Sequence, residues 1–111
     1  MKIFLAQQNY HIGNFEYNTQ KIINAIEEAK QAGGDLILFS ELSVCGYPPR
    51  DFLEFNDFIE KSYNAIEAIR QHADSIAVIV GAPDRNKLKE GKDLHNAAFF
   101  LYQQKIQSVI H

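Results

Sequence analysis

The sequence is short of cysteine, of clustered histidine and of any excess of one charge, and each shortage removes a class of function. Cys45 is the only cysteine, so no intrachain disulfide can form and the paired CxxC spacing of zinc modules is missing. His11, His72, His95 and His111 stand far apart with no HxxxH spacing. No metal site is expected, although ligands that converge only through the fold stay open. The net charge is −3 with a pI near 5.7, which gives no broad positive field and argues against nucleic acid as a partner. No apolar run approaches the length of a membrane span. The N-terminal apolar run also lacks the length and cleavage site of a signal sequence. A cytoplasmic protein with no membrane partner is the expectation.

What is present reads as an ordinary folded chain. Hydrophobic residues make up 46% and charged residues 23% of 111, a balance that suits one globular domain or part of one. Ile3-Phe4-Leu5-Ala6 is a short apolar run, expected to be a strand buried on both faces. Asn14, after Gly13, can cap a helix. From Phe15 the apolar residues recur at helical spacing through Ile22, Ile26 and Ala29, and Gly33-Gly34 ends that helix. Leu36-Ile37-Leu38-Phe39 reads as a second buried strand.

Ser40 to Phe55 is irregular, with Gly46, Pro48 and Pro49 breaking helix and sheet alike. A second helix is expected from about Asp57, with Glu60 completing a capping box. Its stripe runs through Phe58/Ile59, Ser62/Tyr63, Ile66, Ile69 and Ala73. Ile76 to Val80 reads as a third strand closed by Gly81 and Pro83. Asp84 to Asp93 reads as a solvated loop, its rival being a phosphate-binding loop without the glycine pattern. Ala97 to Tyr102 and Lys105 to Ile110 read as a hairpin turning at Gln103-Gln104. The alternation predicts an α/β layer with antiparallel pairing at its end. One residue follows the last strand, so the sheet is expected to continue into something this sequence does not contain.

The irregular segment carries the chemistry. Glu41 sits two residues beyond Phe39, and functional groups gather just outside the carboxyl ends of strands in open α/β sheets. Beside Phe39, Leu42 and Val44, its charged form is disfavoured and its pKa should rise unless a cation is near, which suits a general base. Position and neighbours alone leave a second reading open, a solvated turn residue or the partner of a structural cation. His11 and His95 either approach this loop or sit satisfied at the surface. Arg50 and Asp51 either pair with the loop or a neighbouring subunit, or contact substrate.

Glu41-Leu42 followed by Gly46-Tyr47-Pro48-Pro49-Arg50-Asp51 resembles the signature of the nitrilase (carbon–nitrogen hydrolase) superfamily. The Gly-Tyr-Pro-Pro-x-Asp run is similar to that of the glutaminase domain of glutamine-dependent NAD synthetases. Leu5 to Asn9, Gly13, Asn18, Ala32 to Leu36, Val80 to Pro83 and Asn96 to Ala98 extend the resemblance along the chain in order.

The resemblance implies a partial αββα sandwich of the nitrilase type, residues 1–111 forming the truncated N-terminal portion of a glutaminase domain. It implies a Glu-Lys-Cys triad in which Glu41 is the base that activates a cysteine thiol. The family's lysine would donate to the oxyanion, and Tyr47 would help shape the glutamine pocket. That lysine belongs just after the strand ending near Ile110, so Lys105 is not its equivalent. The nucleophilic cysteine lies much further on, and Cys45 reads as a small apolar packing residue.

The implied partners are L-glutamine, a synthetase domain of the same polypeptide and further copies in a homo-oligomer. No cofactor is expected in this chain, with ATP and Mg confined to the absent synthetase domain. The implied activity is amide hydrolysis that supplies ammonia to ATP-dependent NAD synthesis, the chain alone being inactive. Two alternatives are a fragment of another amidase of the superfamily (omega-amidase or carbamoylase type) and a non-catalytic assembly module. Bare strand edges or helix faces are expected to favour self-association.

Overall fold

The computed structural model describes residues 1–11, 14–40, 43–44, 55–85 and 94–110, excepting the side chains of 55–57, 85 and 94–96. Its elements are β1 (Ile3–Ala6), α1 (Phe15–Gln31), β2 (Leu36–Phe39), α2 (Phe55–Arg70), β3 (Ala77–Arg85), β4 (Leu94–Tyr102) and β5 (Lys105–Ile110). They follow in the order that the patterning predicts. The strands form one five-stranded sheet in sequence order. β1, β2 and β3 pair in parallel, while β3, β4 and β5 pair antiparallel.

The ends of α1 follow from short-range chemistry. Asn14 accepts the Tyr17 N–H at 3.0 Å, satisfying one of the donors that a helix start leaves free. At the other end Gly33 has φ +77°. Gly34 N–H then reaches Ala29 O at 2.8 Å and Gly33 N–H reaches Lys30 O at 3.0 Å, the bond pair of a Schellman cap. The next residues enter β2 directly.

α1 buries Asn18, Ile22, Ile26 and Ala29. α2 buries Phe58, Ile59, Ser62, Ile66 and Ile69, the stripe expected from spacing. Both stripes meet Ile37, Val78, Val80, Phe99 and Leu101 in one core, so the helices cover one face of the sheet. α2 begins at Phe55, two residues before the expected start, and Asp57 therefore lies inside the helix instead of capping it. A first turn needs no apolar periodicity, which is why the stripe marks the helix only from Phe58.

Four strand expectations change. β1 is not buried on both faces, since Ile3 and Leu5 are 51% and 72% exposed. β2 is likewise fully covered only at Ile37 and Phe39. Register places Ile3, Leu5, Leu38, Ile79, Phe100 and Ile110 on the face opposite the helices, and no described residue packs over it as a layer.

β3 also runs through Gly81 and Pro83 to Arg85, taking Asp84 and Arg85 out of the expected loop. Gly81 turns both its backbone groups away from β4, toward Ser43 and Val44. By two-residue alternation Pro83 shares that edge, so its missing donor breaks no bond to β4. Residues 86–93, the rest of that loop, lie outside the described residues. β4 begins three residues before the expected Ala97, because those residues pair with the extension of β3.

The hairpin turn falls at Gln103-Gln104 as expected, with φ 54° and 61°. Both values are positive, the signature of a type I′ turn. The tip is docked, since Gln104 O accepts from Arg70 at 2.6 Å and Gln104 N–H reaches Ala73 O at 2.9 Å. β5 lies at the sheet's other margin, exposed along its length.

Candidate active site

The carboxyl ends of β1 and β2 lie side by side, with Ala6 opposite Phe39. β3 continues past them, since its pairing with β2 stops at Ile79. This step in the sheet leaves the edge of β3 beyond Ile79 free to receive the segment that leaves β2.

Glu41 and Tyr47, the two predicted site residues, lie outside the described residues, as do Cys45, Arg50, Asp51 and His111. The chain on both sides of Glu41 is described. Phe39 and Ser40 precede it, and Ser43 and Val44 follow, both with no exposed surface.

Ser43-Val44 occupies the free edge of β3. Val44 N–H donates to Gly81 O at 3.1 Å, and Ser43 N–H closes a turn on Ser40 O at 3.2 Å. Gly81 N–H donates to Ser43 Oγ at 3.3 Å, and that hydroxyl lies 3.5 Å from Gly81 O. A buried backbone segment must place its polar groups on partners, and here β3 supplies them.

From the helix side, Asn18 completes the arrangement. Its side chain is fully buried. Nδ2 donates to Val44 O at 3.2 Å and to His11 O at 2.7 Å, while Oδ1 accepts from His11 N–H at 2.8 Å. Asn18 thus joins α1 to the segments that leave β1 and β2. The sequence signal for such a residue is a polar side chain at a stripe position, four residues before Ile22.

Sequence reasoning assigned no role to Ser43. Its bond to Gly81 is tertiary and has no local signature.

Around this centre the polar groups are ordinary donors and acceptors. Tyr10 donates its hydroxyl to Gln8 Oε1 at 2.8 Å. Burial pushes its phenol up to about 12, which keeps it a neutral donor at physiological pH. The His11 ring stacks on Tyr17 at 3.9 Å and 7° and is exposed. Among the described residues, His11 reaches the loop through its backbone, by way of Asn18 and Val44, while its ring lies exposed against Tyr17. His95 pairs through its backbone with Asp84 on β3, and its side chain lies outside the described residues. Asp84, expected in a solvated loop, accepts a hydrogen bond from the Tyr63 hydroxyl and ties α2 to the far end of β3.

Among the described residues no three His, Cys, Asp or Glu side chains come together as a metal site. No described helix is long and apolar enough to cross a membrane.

Comparison with known proteins adds an independent line. Residues 2–109 match the family model described as carbon-nitrogen hydrolase. A glutamine-dependent NAD(+) synthetase from Synechocystis sp. is 36% identical over 113 residues, spanning 98% of this chain and 20% of that protein. The enzyme of the same description from Thermotoga maritima is 32% identical over 111 residues, spanning 98% and 18%. The chain therefore spans about a fifth of the length of these curated relatives.

Among solved structures, a glutamine-dependent NAD+ synthetase from Acinetobacter baumannii superposes with TM-score 0.79 at 29% identity, over 98% of this chain and 20% of that one. An amidase from Nesterenkonia sp. superposes with TM-score 0.77 at 20% identity, over 98% and 41%. That second likeness speaks for the fold alone.

Proposed function

Because the chain belongs to the carbon–nitrogen hydrolase family and has the nitrilase-type α/β fold, we propose that residues 1–111 are the N-terminal portion of a glutaminase domain serving glutamine-dependent NAD synthesis. The observation that carries this reading is the 36% identity to a glutamine-dependent NAD(+) synthetase along 98% of the chain. The geometry supports it, because the segments flanking Glu41 are pinned at the carboxyl ends of parallel strands, where α/β sheets build their sites.

In this reading Glu41 is the general base and L-glutamine the substrate. The carboxylate takes the proton of a cysteine thiol supplied by chain beyond these 111 residues. The thiolate attacks the side-chain amide carbon, and a lysine, also from beyond, donates to the oxyanion. The C–N bond breaks, the nitrogen leaves as ammonia after taking a proton, and water hydrolyses the thioester. Tyr47 lines the glutamine pocket. ATP and Mg belong to a synthetase domain of the same polypeptide, and the assembly is a homo-oligomer. The chain alone has no glutaminase activity, because it brings one residue of the three.

The test measures ammonia release from glutamine by a longer polypeptide that carries these residues. Glu41→Gln is expected to lower kcat about a hundred- to ten-thousand-fold, the range of a positioned base. Near-normal turnover in that variant would remove Glu41 from the mechanism. Activity in the 111-residue chain itself would overturn the division of the triad.

A further inference from the structure

We propose that Asn18 is a positioning residue for the segment that carries Glu41, acting as a brace between α1, the exit of β1 and the exit of β2. The inference deepens the reading of Glu41 as base and rests on it.

Asn18 stands where the helix stripe calls for an apolar side chain, in line with Ile22 and Ile26, and it is as fully buried as they are. Asparagine is a poor choice for a helix interior, because its carboxamide competes for backbone groups. A buried polar side chain is tolerated when its bonds are met. All three bonds of Asn18 leave the helix. Two go to His11, at 2.8 and 2.7 Å, and one goes to Val44 O at 3.2 Å. None serves α1 itself, so the residue works on the chain around it.

Val44 shows what that work is. Its N–H is held by Gly81 O at 3.1 Å, and its carbonyl is held by Asn18. The residue is gripped from the sheet on one side and from the helix on the other. Only two residues separate Ser40 from Ser43, and each residue spans at most about 3.5 Å. Fixing both ends therefore narrows where the carboxylate between them can stand. Without the Asn18 bond, the Val44 carbonyl is buried without that partner, and the turn must shift to find another.

The test is nuclear magnetic resonance on the 111-residue chain, reading amide exchange and the carboxyl titration of Glu41. In Asn18→Ala the His11 and Val44 amides are expected to exchange at least tenfold faster, with the α1 amides and the β3 amides other than Gly81 unchanged. The Glu41 midpoint is expected to move by half a pH unit or more. Asn18→Asp serves if the alanine variant does not fold. Read where its carboxyl is protonated, it keeps the acceptor for His11 N–H and one donor, and it should show a smaller change of the same kind.

A folded Asn18→Ala chain whose Val44 exchange and Glu41 midpoint match the parent would overturn the proposal. Near-normal glutamine turnover by Glu41→Gln in the longer polypeptide, with Val44 still loosened by Asn18→Ala, would remove the base reading and support the brace.

Discussion

Two serines in this chain are fully withdrawn from solvent, Ser43 and Ser62, and their hydroxyls are treated differently. Ser62 Oγ, on the buried stripe of α2, has no hydrogen-bond partner among the described residues. Ser43 Oγ takes the N–H of Gly81 at 3.3 Å. Replacing each by alanine should therefore move stability in opposite directions.

An unmet buried hydroxyl costs about 1–3 kcal/mol in desolvation, which Ser62→Ala removes. Alanine also improves helix propensity by about 0.5 kcal/mol. Against these stands the void left by one oxygen, about 0.3 kcal/mol on the cavity scale. The net expectation is stabilisation by about 1–3 kcal/mol, a rise in Tm of roughly 4 °C or more for a chain of this size.

Ser43→Ala instead leaves the buried Gly81 N–H unmet. It should destabilise by about 1 kcal/mol, the lower end of that penalty because the bond is long. Urea unfolding of both variants and the parent, followed by circular dichroism at one protein concentration, measures the differences as shifts in midpoint at constant slope. If Ser62→Ala lowered the midpoint as far as Ser43→Ala, the reasoning from bond satisfaction would fail.

Two further substitutions test other parts of the fold. Glu27 on α1 takes a 2.7 Å bond from His72, beyond α2, and a 2.9 Å bond from Lys30. The His72 bond, then Lys30, holds its carboxyl below the usual 4.5. A depressed carboxylate stabilises the fold above its unfolded pKa and loses that contribution as pH falls through the folded value. Glu27→Gln should therefore be less stable than the parent at pH 6, by less than about 1 kcal/mol for so exposed a pair. The gap should narrow as pH falls below the usual carboxylate range in acid-titrated unfolding, and a gap that stayed constant through that fall would refute the linkage. At the hairpin, Gln103 holds φ 54°, a conformation that asparagine accepts more readily than glutamine. Gln103→Asn should raise the urea midpoint, by up to about 1 kcal/mol in stability, and an unchanged or lower midpoint would contradict the strain.

How much was legible from sequence depended on the range of the interaction involved. The α1 boundaries, its Gly33-Gly34 cap and the Gln103-Gln104 turn rest on neighbours a few residues apart, and they were read correctly. The α2 stripe was read correctly too, yet its start was not, because the first turn precedes the stripe. The extension of β3 through Gly81 and Pro83 was missed, since those residues break strands unless the ladder spares them. What spares Pro83 is the short reach of β2, a tertiary fact with no local trace. Asn18 belongs to the family resemblance, but its bonds to His11 and Val44 connect segments 7 and 26 residues away in sequence. Of the site itself, the structure describes the ground on either side of Glu41, and the roles of Glu41 and Tyr47 rest on the family pattern.

The exposure of β1 on one face stands against its composition. Ile3-Phe4-Leu5-Ala6 and Leu36-Ile37-Leu38-Phe39 are apolar at every position, the pattern of strands covered on both sides. The helices cover one side only, leaving Leu5 at 72% and Ile110 at 63% exposure. A sheet meant to face water would alternate apolar with polar residues, and these strands do not. The face opposite the helices is therefore composed as an interior. In a nitrilase-type sandwich the layer against such a face is a second sheet, packed about 10 Å away. Left uncovered, a face of this composition favours association of one chain with another.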